Sequence, residues 1–341
     1  MAKTSGLTAP PQTAYSAKDW ELLANFWHPV AFESEVGAAP YAFTLLDTDL
    51  ILYRTDETTI VAALNRCPHR GSKLSLGRMC DSELVCAYHG LRFGAGGKCT
   101  HIPSLKKDTG SHARSGLTSF PVQQRYGLVW VCLRPPARFP IFDFPELEDP
   151  ALQRGKLSLM LNSGAGRHLE NFGDTSHFSF IHAVSFGEGG RPDVPPYKVE
   201  DTKYGLYYEV MTHQQDGSLS FGEPAFADVP SEYYITYPFT ILLRLLFPRG
   251  NENILETICP ISATTCRVLM VKTRDHDHEQ PVDDWITFQE KVNAEDRAIV
   301  ESQGPAQLPL KIADEFHTAA DTSSVAYRRK WRKLGFSGNL L

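Results

Sequence analysis

Cys67-Pro68-His69-Arg70-Gly71 and Cys86-Ala87-Tyr88-His89-Gly90, with sixteen residues between His69 and Cys86, place two thiolates and two imidazoles on two short loops. Two kinds of centre take that donor set. Zinc binds it in a tetrahedron, usually from like ligands grouped as C-x-x-C and H-x3-H. A [2Fe–2S] cluster binds it when two Cys hold one iron and two His hold the other. Here each loop contributes one Cys and one His, which favours the cluster, with zinc as the rival.

Further along, Glu170-Asn171-Phe172-Gly173-Asp174-Thr175-Ser176-His177-Phe178-Ser179-Phe180-Ile181-His182 carries two His five apart. With a later carboxylate they could form the 2-His-1-carboxylate triad of a non-haem Fe(II) site. Five is not a same-face spacing on an α-helix. Both rings can meet one metal only if the helix ends there or takes a π-type turn. Two satisfied histidines near a core are the alternative.

Together the two features resemble the Rieske non-haem iron oxygenases, specifically their terminal oxygenase (α) subunits. The likeness runs from Phe26-Trp27-His28-Pro29 through the cluster loops and the Asn171/Asp174/His177/His182 block to the end of the chain. The Glu170–His182 block is most similar to the methylxanthine N-demethylase branch. The tail, Gln307-Leu308-Pro309-Leu310 and Ser324-Val325-Ala326-Tyr327-Arg328-Arg329, resembles the saxitoxin-type hydroxylases. The resemblance implies a Rieske [2Fe–2S] cluster on Cys67, His69, Cys86 and His89, and a mononuclear Fe(II) on His177, His182 and Asp296. It makes Asn171 and Asp174 candidate catalytic residues, with Asp174 as the acidic bridge between the metal centres of neighbouring subunits in a head-to-tail homotrimer.

Periodicity supports Asp296 independently. After Pro281, residues Trp285, Phe288, Val292, Asp296, Ile299 and Gln303 recur at steps of three and four, the stripe of one helical face. A carboxylate on such a face needs a partner, because an unpaired buried charge is costly. Iron would serve, as would Arg297 or Arg167 in an ion pair. Glu295 is a competitor for the ligand position.

Composition fits a globular chain of about two domains: 341 residues, 42% hydrophobic and 22% charged. A net charge of −6 gives no sign of nucleic-acid binding. Met1 to Ser16 lacks a positive region leading into an apolar run, so no signal peptide is expected. Phe239 to Phe247, the most apolar stretch, includes Arg244 and is far too short for a membrane span. Seven cysteines, an odd number without small-domain spacing, point to a reducing, cytoplasmic setting. Cys80, Cys99, Cys132, Cys259 and Cys266 read as buried or half-buried thiols. Rieske proteins of respiratory complexes carry a disulfide beside the cluster, but by resemblance Ser72 and Tyr88 stand in its place here. A cluster potential near the low end of about −150 to +300 mV is expected.

Pro135-Pro136-Ala137-Arg138-Phe139-Pro140 punctuates the chain, dividing it into 1–140 and 141–341. Before it, Ala42 to Arg54, Thr59 to Leu64 and Gly127 to Leu133 read as strands of a small antiparallel domain. After it, Tyr204 to Met211, Glu232 to Phe247, Asn253 to Cys259 and Cys266 to Arg274 read as longer strands, closed by a helix over Pro281 to Gln303. The expected class is α+β, an antiparallel β Rieske domain followed by the helix-grip (START-like) catalytic domain that the family implies. The Gly- and Pro-rich segment 187–196 is a loop, either a lid or an ordinary connection.

The sequence holds no GxGxxG after a strand and no plant-type cluster motif. Electrons must therefore come from a separate reductase, with or without a ferredoxin. The basic run Arg328-Arg329-Lys330-Trp331-Arg332-Lys333 is either a solvated helix face or a dock for an acidic carrier. The expected activity uses O2 to hydroxylate or oxidatively demethylate a small organic substrate. The alternatives are aromatic-ring cis-dihydroxylation and, in another class, Rieske electron transfer alone.

Overall fold

The computed structural model describes residues 7–105, 115–187, 191–215 and 226–340 and divides into two compact units, Met1–Pro140 and Ile141–Leu341. In the first, helix α1 (Ala17–Ala24) begins where the Ser16 hydroxyl accepts the Asp19 N–H at 3.1 Å, a cap worth about 1 kcal/mol. Among the described residues eleven short strands follow: β1 (His28–Phe32), β2 (Tyr41–Leu45), β3 (Thr48–Arg54), β4 (Ile60–Leu64), β5 (Arg78–Cys80), β6 (Glu83–Val85), β7 (Arg92–Phe93), β8 (Cys99–His101), β9 (Ser119–Phe120), β10 (Val122–Arg125) and β11 (Leu128–Val131). They form three antiparallel sheets in the orders β1-β11-β10, β2-β3-β4-β9 and β5-β6-β7-β8.

Ala42 to Arg54 is not one strand but a hairpin. Leu45 pairs with Thr48, and Leu46 and Asp47 have φ of 51° and 59°. Two successive positive φ values make the tight turn whose twist suits a hairpin. Neither residue is glycine, so the usual signal for that turn is missing.

Among its described residues the second unit holds a seven-stranded antiparallel sheet in the order β12-β18-β17-β16-β15-β14-β13. Its strands are β12 (Gln153–Leu161), β13 (Val199–Asp201), β14 (Gly205–Gln215), β15 (Phe226–Thr236), β16 (Thr240–Phe247), β17 (Gly250–Ser262) and β18 (Thr265–Arg274). The stretch Glu232 to Phe247, expected as a single strand, turns at Tyr237–Pro238 between β15 and β16. A proline cannot donate to a ladder and belongs at such a break. β17 is buried over nine successive residues, as a strand covered on both faces must be.

Helices α2 (Ala165–Phe172) and α3 (Phe178–Ile181) lie between β12 and β13 in the chain, and α4 (Val282–Val300) and α5 (Thr322–Leu334) follow β18. α4 packs on β12 at Gly155, where an added Cβ would come within 2.4 Å of Ile286 Cδ1, so only glycine lets helix and strand approach that closely. The buried face of α4 is Trp285, Gln289, Val292, Asn293, Asp296 and Val300. This corrects the expected stripe: Ile299 is 42% exposed, and two amides take places inside.

α5 is anchored by fully buried Trp331, whose loss to alanine would cost about 3–5 kcal/mol. Its basic run is not uniformly solvated. Arg328 is buried and donates to both Glu170 oxygens, at 2.7 and 2.5 Å, and to Glu315 at 2.6 Å. Lys330 pairs with Asp201 at 2.8 Å. Arg329, Arg332 and Lys333 face solvent. No helix among the described residues is long and apolar enough to cross a membrane. Residues 188–190 of the 187–196 loop lie outside the described residues.

Candidate metal centres

In the first unit the two ligand loops have the same construction. Gly71 N–H returns to Cys67 O at 2.9 Å and Gly90 N–H to Cys86 O at 3.0 Å. Both glycines are left-handed, φ 74° and 69°, a conformation other residues adopt at a cost. Cys67 N–H and Cys86 N–H donate to Ser72 O and Leu91 O, both at 2.9 Å. The cysteines are buried in the core formed by Tyr53, Leu74, Leu84 and Phe93. His69 and His89 are exposed, with their Nδ1 atoms 3.2 Å apart.

Two thiols inside and two ring nitrogens outside, converging from two loops, fit a cluster with one Cys-held and one His-held iron. Burial pushes the Cys67 thiol up to about 11. Burial acts the same way on Cys86, but the Ser72 hydroxyl and the Tyr88 N–H outweigh it and bring that thiol below its ordinary value. The Ser72 oxygen lies 3.4 Å from Cys86 Sγ. All seven cysteines are free, and only Cys80 among them is not buried.

In the second unit α3 is a four-residue helix with His177 at its N-cap and His182 at its C-cap. The helix ends at His182, and this resolves the five-residue spacing: both rings leave the ends of one turn toward one point. α4 brings the third donor. Nε2 of His177 and of His182 lie 3.5 and 3.4 Å from Asp296 Oδ1, and one ligand atom from each of the three residues falls within 4.8 Å of the others. Ligands about 2 Å from a shared first-row ion have such separations.

Each ring also uses its other nitrogen. His177 Nδ1 lies 3.1 Å from Asp174 Oδ2 and His182 Nδ1 lies 2.7 Å from Glu295 Oε2, the arrangement by which carboxylates orient metal-binding imidazoles. Asn171 Nδ2 donates to Asp296 Oδ1 at 3.3 Å. Arg167 and Arg297, the alternative partners for Asp296, are occupied elsewhere, with Glu315 at 2.7 Å and with Met160 O.

Burial raises the Asp296 carboxyl, but His182, His177 and His168 outweigh it and hold it below the ordinary range. Burial likewise raises Asp174, and His177 and Ser176 outweigh it. Burial lowers His182, while Asp296 and Glu295 drive it above its ordinary value. Two imidazoles and one carboxylate that converge on one point are a donor set for a divalent cation. Both donor sets therefore fit the groups they would hold.

Sequence reading treated Glu295 as a rival ligand; its place is behind His182, where it also accepts the Ser185 hydroxyl at 2.7 Å. It missed His168, whose Nε2 lies 2.9 Å from the fully buried Glu256. It also missed the cavity that the three donors share with Phe178, Phe186, Leu243, Ile254 and Phe288.

Residues 26–121 match the Rieske [2Fe-2S] domain family, and residues 161–335 match the vanillate O-demethylase oxygenase C-terminal domain family. The chain belongs to the Rieske oxygenases. A methylxanthine N3-demethylase of Pseudomonas putida is 31% identical, over 93% of this chain and 90% of its own length. A methylxanthine N1-demethylase of the same organism is 29% identical over 92% of the chain. The structure of the latter with caffeine aligns with a TM-score of 0.81 at 28% identity, covering 92% of this chain and 91% of that one. Dicamba monooxygenase, at 21% identity and a TM-score of 0.77, shares the fold. As a Rieske oxygenase the chain uses a [2Fe–2S] cluster and a mononuclear iron. It is an iron-dependent oxygenase component that acts on small organic molecules with externally supplied electrons.

Proposed function

We propose that Cys67, His69, Cys86 and His89 hold the cluster, that His177, His182 and Asp296 hold the iron, and that the adjoining cavity takes an N-methyl heterocycle, which is demethylated with release of formaldehyde. The observation that carries this is the convergence of the three donors within 4.8 Å at the wall of a mostly apolar cavity. The likeness to two methylxanthine demethylases favours the substrate class.

When bound, the cluster supplies electrons one at a time and the iron supplies activation of O2. The chain's residues set the geometry. Asp174 and Glu295 fix the tautomer and rotation of His177 and His182. Asn171 restrains the Asp296 carboxylate, and the aromatic wall excludes water from the reacting face. Asp174 is only partly covered, 25% exposed at its side chain, and keeps acceptor capacity for a ring N–H of a cluster histidine from a neighbouring subunit in a head-to-tail homotrimer. A separate reductase, with or without a ferredoxin, supplies the electrons.

Turnover with such a reductase and a panel of N-methyl heterocycles and methoxyarenes under 18O2 tests the reading. One labelled atom is expected in the organic products or in formaldehyde before exchange. A doubly labelled cis-diol would replace demethylation by dihydroxylation, and electron transfer without incorporation would reduce the chain to a carrier.

A further inference from the structure

The cavity that His177, His182 and Asp296 line is also lined by Glu252, Lys272, Trp285, Gln289 and Asn293, a set that the metal site does not use. Lys272, on β18, is 2% exposed. Its ammonium donates to Glu252 Oε1 at 2.7 Å and to Gln289 Oε1 at 2.8 Å, and lies 4.7 Å from the centre of the Trp285 ring. Glu252 is held from its other side by the Trp285 Nε1–H at 3.2 Å.

An ammonium can only donate. The Gln289 oxygen must therefore face Lys272, which turns Gln289 Nε2 toward Asn293, where it donates to Oδ1 at 2.9 Å. That bond turns the Asn293 oxygen toward Gln289, and the group of this amide left without a partner is Nδ2. That nitrogen is buried and has no acceptor among the described residues. An amide's oxygen and nitrogen are interchangeable in shape, so only its hydrogen-bond network decides which end points where. Here the deciding charge sits at the far end of the chain of bonds.

We infer that Lys272, clamped by Glu252, is a positioning residue that sets the polarity of the Gln289–Asn293 amide relay, so that the cavity meets its substrate with an N–H donor and selects ligands carrying an acceptor, a carbonyl oxygen or unprotonated ring nitrogen. The inference rests on the reading of this cavity as the substrate site. A ligand that leaves the buried donor unfilled forfeits about tenfold or more in affinity. A ligand presenting its own N–H there is rejected further, since two donors face each other.

Anaerobic equilibrium dialysis of the iron-loaded enzyme with three bicyclic probes of similar size tests this: indanone, which carries only an acceptor; indane, which carries neither group; and indole, which donates. The wild type should bind indanone at least about tenfold more tightly than indole. The double substitution Lys272→Gln with Glu252→Gln frees the amides to rotate and should collapse that ratio toward one. Lys272→Arg, which still only donates, should preserve it. Asn293→Asp replaces the donor by an acceptor and should reverse the preference toward indole, and this variant decides the matter if the double variant fails to fold. An unchanged ratio in the double variant, or no reversal in Asn293→Asp, overturns the relay. Because no turnover is read, failure here leaves the 18O2 experiment to judge the oxygenase reading by itself.

Discussion

The two proposed sets of metal donors are built on opposite plans. The cluster donors come from 23 residues of chain, Cys67 to His89, on two loops that each close with their own backbone bond, and their histidines stand in solvent. The iron donors span His177 to Asp296, bridge a short helix and a distant long one, and bury the His182 ring while leaving that of His177 half-buried, each held by a separate carboxylate. An exposed imidazole edge suits a centre that exchanges electrons with other proteins. A buried, restrained ring suits one that must hold its geometry while O2 and substrate arrive, because misplacement of a ligand there is expensive in rate.

The sharpest way to break this contrast is to remove one donor from each set. Anaerobically purified wild type should hold about three irons and two inorganic sulfides per chain. Cys67→Ser should lose the cluster, its visible spectrum and its sulfide together. His177→Ala should keep the red-brown spectrum, fall to about two irons and lose all turnover. Zinc in place of iron, or full turnover by His177→Ala, would falsify the assignment of the centres.

A smaller effect separates the two carboxylates behind the iron histidines. Glu295 is well covered and serves His182 and Ser185 within its own unit. Glu295→Gln should therefore weaken iron retention by about 10- to 100-fold, read by competition with a chelator. Asp174→Asn should leave metal content near normal, yet turnover should drop severely, because the charge that couples the centres is gone. Asp174 also accepts from Ser176 N–H at 2.8 Å, so a purely local role remains the competing explanation. Rapid cluster reoxidation by the pre-reduced Asn variant, on adding substrate and O2, would select that local role.

The same contrast explains what could be read from sequence. The cluster loops were legible because their donors are fixed by covalent spacing. Asp296 was legible because α4 is long enough for its period to show. Gln289 and Asn293 were not, since amides on a helix pattern count as solvent-facing until Lys272, on a strand and seventeen positions earlier than Gln289, supplies their partner. The β2–β3 turn hid behind Leu46, which is fully buried despite its left-handed backbone. The β15–β16 break at Pro238 did carry a signal, a proline inside an apolar run, which the strand reading overrode.

Two buried histidines sharpen the contrast between the units through pH. His28, in the first, meets the Leu23 carbonyl at 2.8 Å, and burial lowers its pKa from 6.5 to about 4. The unfolded chain takes a proton there before the folded one does. Stability of this unit should fall as pH drops from about 6.5 to 4, by about 3 kcal/mol at most. His168, in the second, is lowered by burial but raised more by Glu256, and its net shift is upward. Its contribution is present below pH 6.5 and is lost as pH rises through its folded value. Acid titration should thus bleach the cluster absorbance before far-UV signal from the larger sheet is lost, and His28→Gln should remove most of that difference. Simultaneous loss of both signals in wild type and variant alike would show that these two groups do not govern the order.

The smallest expected effect concerns a side-chain hydroxyl beside a cysteine of the proposed cluster site. Ser72 Oγ lies 3.4 Å from Cys86 Sγ, at the position where resemblance to the respiratory proteins would place a disulfide cysteine. Reduction adds negative charge to the cluster and its thiolates, so a donor to sulfur stabilises the reduced form more than the oxidised one and raises the potential. A side-chain hydrogen bond contributes about 0.5–1.5 kcal/mol net, and only the difference between the two redox states counts. For a one-electron couple about 1.4 kcal/mol corresponds to 59 mV, so Ser72→Ala should lower the midpoint potential by on the order of tens of millivolts while leaving cluster content unchanged. Ser72→Thr, which keeps the hydroxyl, should stay near wild type. Protein-film voltammetry resolves such shifts, and an unchanged or higher potential in Ser72→Ala would mean that the hydroxyl turns its proton away from the sulfur, leaving the backbone N–H groups of the two loops to set the potential alone.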